Sequence, residues 1–573
     1  MFDGKLFYIL ITPDEDPEPV FVYQGYTLPS LALPRLVHTL LRLPASIDSH
    51  QYSAETLIKY RLCASHKIRS VPLMVGQIRF IVFDKSTPFR IFLSTEETDA
   101  QTSYLLSKTD HPTLHITSCM LSRIIAEPDY GPGLVRTYAR SVADFIYDEF
   151  PTQSTAIRAD LDKAAAPQKL RQLKIPKHNH NVTAPNEVPI ELSGGIFQGV
   201  EHFNTLNDSG YANAVRASAH FMRVERERLH EGFPTGFHRQ TMDLIIACPG
   251  LLFHLSSSGR LRNLFSEPGS NRQFKEAFLF YVRQEGYATL VIPDQLQRLL
   301  NNPYYPIFTE IWQKEINTFT AALTFQAFNE FCPVMRLPRN LYRTRGRIAM
   351  LGNLLRDGSK KEPSPASVNK LANQICVDME EVAGMIQSDF LDGYDKKIRI
   401  VADLPLGWMR VDGIPLALRH NVSQIPTTPG GLFMGMSLMT DRRFFNIGIR
   451  QHVVVIRSFH ANDPLREVLK DAIGKYSKKA GWDFDVEFID VGNEADLIGA
   501  CRKIRSPFLI FDGHGTHKAK AQVGTIRIGD MDLDVWQLRK KVAIPPIVIL
   551  SCCDAAPSDR SHASITNGFL RRC

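Results

Sequence analysis

The chain has 573 residues, 44% apolar and 22% charged, which is a soluble globular composition too long for one core and calls for about three domains. Its charge of +7 is the small difference between 67 basic and 60 acidic residues, so no general affinity for nucleic acid or anionic membranes follows. Nine irregularly spaced cysteines without a C-x-x-C pair argue against a disulfide framework and a zinc site, and for a reducing, cytoplasmic setting.

The N-terminus, MFDGKLFYILITPDEDPEP, lacks the basic stretch and long apolar core of a signal peptide. Residues 1–150 read as a mixed α/β domain. Lys5–Thr12 and Val20–Gln24 are predicted strands around an acidic turn, and Ile78–Phe83 and Phe89–Leu93 a second pair. Leu134–Phe150 has helical spacing. Pro151–Pro189 turns polar and proline-containing, which predicts a linker, and His178 and His180 within it have too few neighbouring ligands for a metal site. Residues 190–345 form a helix-rich α/β middle domain, with helices predicted over Gln273–Gln284 and Phe308–Phe331. The apolar run Leu244–Leu255 is interrupted by Pro249 and Gly250 and is far too short to span a membrane. Five arginines between Arg336 and Arg347 surround Tyr342; a solvated segment is the favoured reading over a nucleic-acid patch. No repeat of fixed period is visible.

After the polar hinge Asp357–Pro365, residues 346–573 carry the clearest pattern. Short strands are expected at Ile398–Ala402, Val453–Phe459, Asp483–Ile489, Phe508–Phe511 and Ile547–Ser551. A helix should start at Pro464 and bury Leu465, Val468, Leu469, Ala472, Ile473 and Tyr476. A second helix, capped by Asn493, should bury Leu497, Ile498, Cys501 and Ile504. Strands alternating with helices imply right-handed crossovers and a mainly parallel, doubly wound sheet. Thr525–Ile528, Gly529-Asp530 and Met531–Leu533 read as a hairpin, followed by a short helix over Val535–Lys541.

In such sheets, reactive groups gather beyond the carboxyl ends of the strands. Phe508–Phe511 runs into Asp512-Gly513-His514-Gly515, and Ile547–Ser551 into Cys552-Cys553-Asp554. An imidazole beside a thiol can take its proton, and backbone N–H groups can hold the oxyanion that follows attack on a carbonyl. His514 is the candidate base, Cys553 the candidate nucleophile, and Cys552 the alternative nucleophile. The N–H groups of Gly515 and Cys553 are the candidate oxyanion hole. Asp512 and Asp554 are candidates for attracting a basic substrate side chain, against which stands the simpler role of solvated strand-end carboxylates. His514 precedes Cys553 by 39 residues, near the roughly 50-residue order of caspases.

From Lys397 onward these motifs resemble the CHAT domain, a caspase- and separase-related peptidase domain common in bacteria. The resemblance rests on Ile398–Pro429, on Phe508–Gly515 (FLIFDGHG) and on Ile547–Ala556 (IVILSCCDAA), with Cys552 standing where the family usually has alanine. It implies a caspase-like fold and endopeptidase activity on protein substrates, with no cofactor or metal. Family members continue with a further strand past the point where this chain ends, at Cys573. The alternative function is accordingly a catalytically inactive caspase-like module for interaction or scaffolding. Two large preceding domains suggest regulation, with residues 1–345 sensing a signal or an activating or inhibitory protein. No nucleotide-binding loop is present, since Gly352–Lys360 has the wrong spacing.

Overall fold

The computed structural model describes residues 6–13, 32–47, 68–81, 89–127, 130–163, 182–193, 195–197, 208–230, 242–250, 271–283, 293–356, 363–391, 394–439, 451–480, 484–504, 506, 508–517, 523–538, 541–542, 544–545, 547–557 and 563–570. Val20–Gln24, His178 and His180 lie outside them. The fold is mixed α/β with several parallel sheets. Two compact units are present: one holds most of the chain up to Asp441, the other is built on Arg442–Cys573.

The first unit contains two four-stranded parallel sheets. One consists of β1 (Phe7–Thr12), β2 (Arg69–Met74), β3 (Arg90–Leu93) and β4 (Leu114–Ile116), in the order β2-β1-β3-β4. Tyr8 and Leu10 of β1 enter one core and Ile9 and Ile11 another, so a strand covered on both faces is apolar throughout. The other sheet consists of β5 (Leu244–Ala247), β6 (Val334–Arg336), β7 (Lys397–Val401) and a fourth strand, Asn421–Ile425. Between β7 and that fourth strand, β8 (Arg410–Val411) and β9 (Ile414–Pro415) form a two-residue hairpin ladder, which makes Asn421–Ile425 β10. The order is β10-β7-β5-β6.

Several expectations change here. Ile398–Ala402, expected to open the C-terminal domain, lies in β7 and pairs with β5 and β10 of the first unit. Pro151–Lys163, expected as linker, is a helix, and Ile157 and Leu161 bury themselves in the same core as Leu10. Ala321 and Phe325 of the long helix Tyr305–Glu330 enter that core too, so residues expected in separate domains share one interior. Of the strand predicted over Ile78–Phe83, Ile78–Phe80 instead end a 3₁₀ helix, Val75–Phe80, and residues 82–83 lie outside the described residues.

The arginine-rich segment is also not simply solvated. Arg336, Arg339 and Tyr342 are buried, while Arg343 and Arg347 are exposed. Arg336 closes β6, Arg339 lies over the Trp312 ring at 4.7 Å, and the Tyr342 hydroxyl donates to the Cys248 carbonyl and accepts from Asp403 N–H. At the same rim the buried Asp403 carboxylate accepts from Thr427 N (3.0 Å), Thr427 Oγ1 (2.6 Å), Thr428 N (3.4 Å) and Thr428 Oγ1 (2.9 Å). Asp403→Ala leaves these donors without that acceptor and is expected to cost about 3 kcal/mol, read as a lower urea midpoint for this unit.

The second unit holds β11 (Gln451–Ser458), β12 (Phe484–Asp490), β13 (Phe508–Gly513) and β17 (Ile547–Ser551), all parallel, in the order β12-β11-β13-β17. Between β13 and β17 come β14 (Gly515–Thr516), β15 (Thr525–Ile528) and β16 (Met531–Asp534), an antiparallel set with its tight turn at Gly529-Asp530. Gly529 has φ +57°, and a Cβ there would lie 2.1 Å from the Gly492 carbonyl oxygen, so only glycine fits. Asn493 caps its helix as predicted, accepting Asp496 N–H at 2.9 Å.

One face of this sheet packs against that helix, the hairpin and the helix Ile565–Leu570. Val454, Ile456, Leu509, Phe511, Leu497, Ile526, Ile528, Ile565 and Phe569 form the core, and Val548, Leu550 and Cys552 pack against it. The helix predicted from Pro464 begins at Val468 instead, and Leu465, Val468 and Tyr476 stay exposed. The reason is local. Asp463 Oδ1 accepts Leu465 N–H, and Arg466 N and Val468 N donate to carbonyls three residues back, which makes this segment a run of tight turns.

Among the described residues, the three parallel sheets share one strand order: second, first, third, fourth in chain sequence. In each, the chain reverses direction across the sheet between its first and third strands, the arrangement that opens a crevice at the carboxyl rim.

Candidate active site

The last register pair between β13 and β17 is Asp512↔Ser551, and their side chains meet: Ser551 Oγ donates to Asp512 Oδ1 at 2.8 Å. Adjacent strands alternate their side chains with period two. Counted two residues past that last pair stand His514 and Cys553, each just beyond its strand. Cys552 follows the other parity, continuing the row Val548, Leu550 that packs on the core. Its sulfur lies 3.3 Å from where a Cβ on Gly515 would be. The middle sheet shows that the step of two is productive. There the last pair is Val401↔Ile425, and two residues on, Asp403 and Thr427 are hydrogen-bonded.

The two thiols therefore differ. Cys553 is exposed, whereas burial, and then the nearby Cys553 and Asp512, push the Cys552 thiol up to about 11. A thiol in that state is a poor source of thiolate. His514 stands just past β13 with its side chain 38% exposed. Phe459 meets the ring edge-on, with centroids 5.5 Å apart, and His514 Nε2 lies 2.6 Å from Asp463 Oδ2. Nδ1 is the remaining ring nitrogen.

The backbone around the site is tightly set. Arg527 N donates to the His514 carbonyl at 2.9 Å. This makes Gly515↔Ile526 a non-hydrogen-bonded pair of the antiparallel ladder and turns the Gly515 N–H away from β15. Glycine is required at 515, because a Cβ would fall 2.2 Å from the Cys553 carbonyl oxygen. Beyond the thiols, Asp554 has φ +50°, and both the N–H and the hydroxyl of Thr566 donate to the Ala555 carbonyl at 2.9 Å. The loop is thereby tied to the last helix.

Asp512 is placed differently from the expectation. It is 4% exposed, and burial raises its carboxyl pKa, against the lowering effects of Ser551, Arg457 and His514. A carboxyl sunk beneath the rim cannot face an incoming side chain, so its role is to tie β13 to β17. Asp554 is half-buried in a left-handed turn. Arg457, at the end of β11, is also buried and pairs with Asp490 (Nη2–Oδ2 2.9 Å) and Glu467 (Nη1–Oε1 3.4 Å).

Asp463 is the residue that sequence reasoning did not single out for chemistry. It stands directly before the expected helix start at Pro464, and its partner His514 is 51 residues away. The available signal is topological: Asp463 follows the first strand of a sheet whose third strand delivers His514 to the same rim. Among the described residues no group of three or more His, Cys, Asp or Glu is placed to hold a metal, and no helix is long and apolar enough to cross a membrane. The chain matches no protein-family model and no curated protein sequence.

Proposed function

We propose that the second unit is a caspase-like cysteine endopeptidase acting on protein substrates, with Cys553 as nucleophile and His514 as base. The observation that carries this reading is the register Asp512↔Ser551, two residues short of an imidazole and an exposed thiol on adjacent parallel strands. His514 Nδ1 removes the Sγ proton, and the thiolate attacks the scissile carbonyl carbon. The oxyanion of the tetrahedral intermediate is held by the N–H groups of Gly515 and Cys553. The imidazolium then gives its proton to the departing amine as the C–N bond breaks, leaving a thioester on Cys553. Water, deprotonated by the same imidazole, cleaves the thioester and frees the second product.

The test is covalent capture. The full chain, incubated with a peptide library ending in an acyloxymethyl ketone, is expected to be alkylated at Cys553, located by mass spectrometry. His514→Ala should lower that labelling at least roughly a hundredfold. Labelling that ignores His514 would refute the peptidase and leave a non-enzymatic interaction module.

A further inference from the structure

We infer that Asp463 is a positioning residue for this reaction, fixing the tautomer and orientation of His514 and stabilising its imidazolium. The inference rests on the dyad proposed above and adds the third group that the dyad needs.

The geometry divides the two oxygens of Asp463 between two tasks. Oδ1 accepts Leu465 N–H at 3.0 Å, which holds the carboxylate in place, and Oδ2 faces His514 Nε2 at 2.6 Å. A carboxylate can only accept, so Nε2 must carry a proton. In neutral His514 the proton is then absent from Nδ1, which leaves Nδ1 with the lone pair required to take a proton from a thiol. Without this bond the imidazole could hold its proton on either nitrogen, and only one tautomer is competent. The Asp463 side chain is 12% exposed, so water competes weakly for this contact. Phe459 limits ring rotation from the side. Once His514 is protonated, the same contact becomes an ion pair that favours the imidazolium.

Other charged groups surround the pair. His460, on the loop after β11, approaches Asp530 of the hairpin turn at 3.6 Å. Asp512 and Arg457 lie on the sheet, and both thiols follow β17. Of these groups His514 is the one that meets Asp463 Oδ2, and His460 adds a weaker attraction that also lowers the Asp463 carboxyl. The His514 contact, followed by the Leu465 N–H, holds the Asp463 carboxyl below the usual carboxylate range. A depressed carboxyl contributes stability above the ordinary carboxylate pKa and loses it only as pH falls through the lowered value. Asp463 is therefore ionised throughout the neutral range in which a thiol peptidase works.

The experiment is the pH profile of iodoacetamide alkylation at Cys553, resolved by peptide mass spectrometry on the full chain. Asp463→Asn is expected to slow alkylation near neutral pH roughly tenfold or more and to move its rise to higher pH. Asp463→Glu should recover most of the rate, and His514→Ala should show the full loss. An Asp463→Asn profile that superposes on wild type while His514→Ala is depressed would overturn the positioning role and spare the dyad. A His514→Ala profile equal to wild type would overturn the dyad and this inference with it. Because Asp463→Asn could also disturb the turn at Leu465, ¹⁵N NMR of the unaltered protein gives an independent reading. Neutral His514 must be protonated at Nε2, and an Nδ1-protonated ring would refute the assignment.

Discussion

Cys553→Ala is expected to reduce peptide-bond hydrolysis at least about a thousandfold, whereas Cys552→Ala should leave it within about threefold. The two cysteines are neighbours in sequence, yet the sheet separates them. Cys552 continues the row that packs on the core, where burial keeps its thiol protonated, up to about 11. Cys553 is exposed and stands just beyond the end of β17, as His514 stands just beyond the end of β13. Losing a nucleophile removes the covalent route and leaves only what binding and the oxyanion hole supply. Losing Cys552 removes a small apolar contact. The measurement is the number of new amino termini released from a denatured proteome, counted by mass spectrometry. Equal loss in both variants, or the reverse order, would reject the assignment of the nucleophile.

Gly515→Ala should be nearly as damaging, through a single methyl group. The added Cβ would lie 2.2 Å from the Cys553 carbonyl oxygen, 2.9 Å from Ile565 Cδ1 and 3.3 Å from Cys552 Sγ. The first contact is with backbone, and neither partner yields easily. His514, just before Gly515, is tied to Arg527, and Ala555, just after the thiols, is tied to Thr566. Relief must separate the ends of β13 and β17, just beyond which His514 and Cys553 stand. The expected results are a loss of unfolding free energy of about 2–3 kcal/mol and a fall in activity of roughly a hundredfold or more. Gly499 serves as the control, since its added Cβ meets nothing within 4 Å in the helix Glu494–Lys503. Gly499→Ala should stabilise by about 0.5–1 kcal/mol. Wild-type activity in Gly515→Ala would show that the two strand ends are not in the contact described.

These expectations hinge on features of unequal legibility. The strands of the second unit could be read because they are continuous β-branched and aromatic runs, as in Val453–Ile456 and Phe508–Phe511. The partner of a strand is another matter. Ile398–Val401 announces a strand, but the pairing of parallel strands is set by crossovers and distant packing, and these take it to β5 and β10. The arginine-rich segment misled for a similar reason. Guanidinium groups are costly to bury alone, but Arg339 finds an aromatic ring and Tyr342 finds backbone groups just past two strands. His514 and the cysteines were legible because glycines and strand ends flag them. Asp463 was not, because its second oxygen acts on a side chain far along the sequence. Asp512 looked like a surface carboxylate, and only the register shows it hydrogen-bonded beneath the rim.

The common strand order of the three parallel sheets has a consequence for experiment. Two places past the last register pair of the third and fourth strands stand Thr95 and Ser118 in the first sheet, Asp403 and Thr427 in the second, and His514 and Cys553 in the third. One polypeptide thus repeats a single strand order with different side chains past each pair of strand ends. At the other two rims Thr95, Ser118, Asp403 and Thr427 are buried hydroxyls and a carboxylate, all weak nucleophiles, so an electrophile aimed at thiols should leave those rims unmarked.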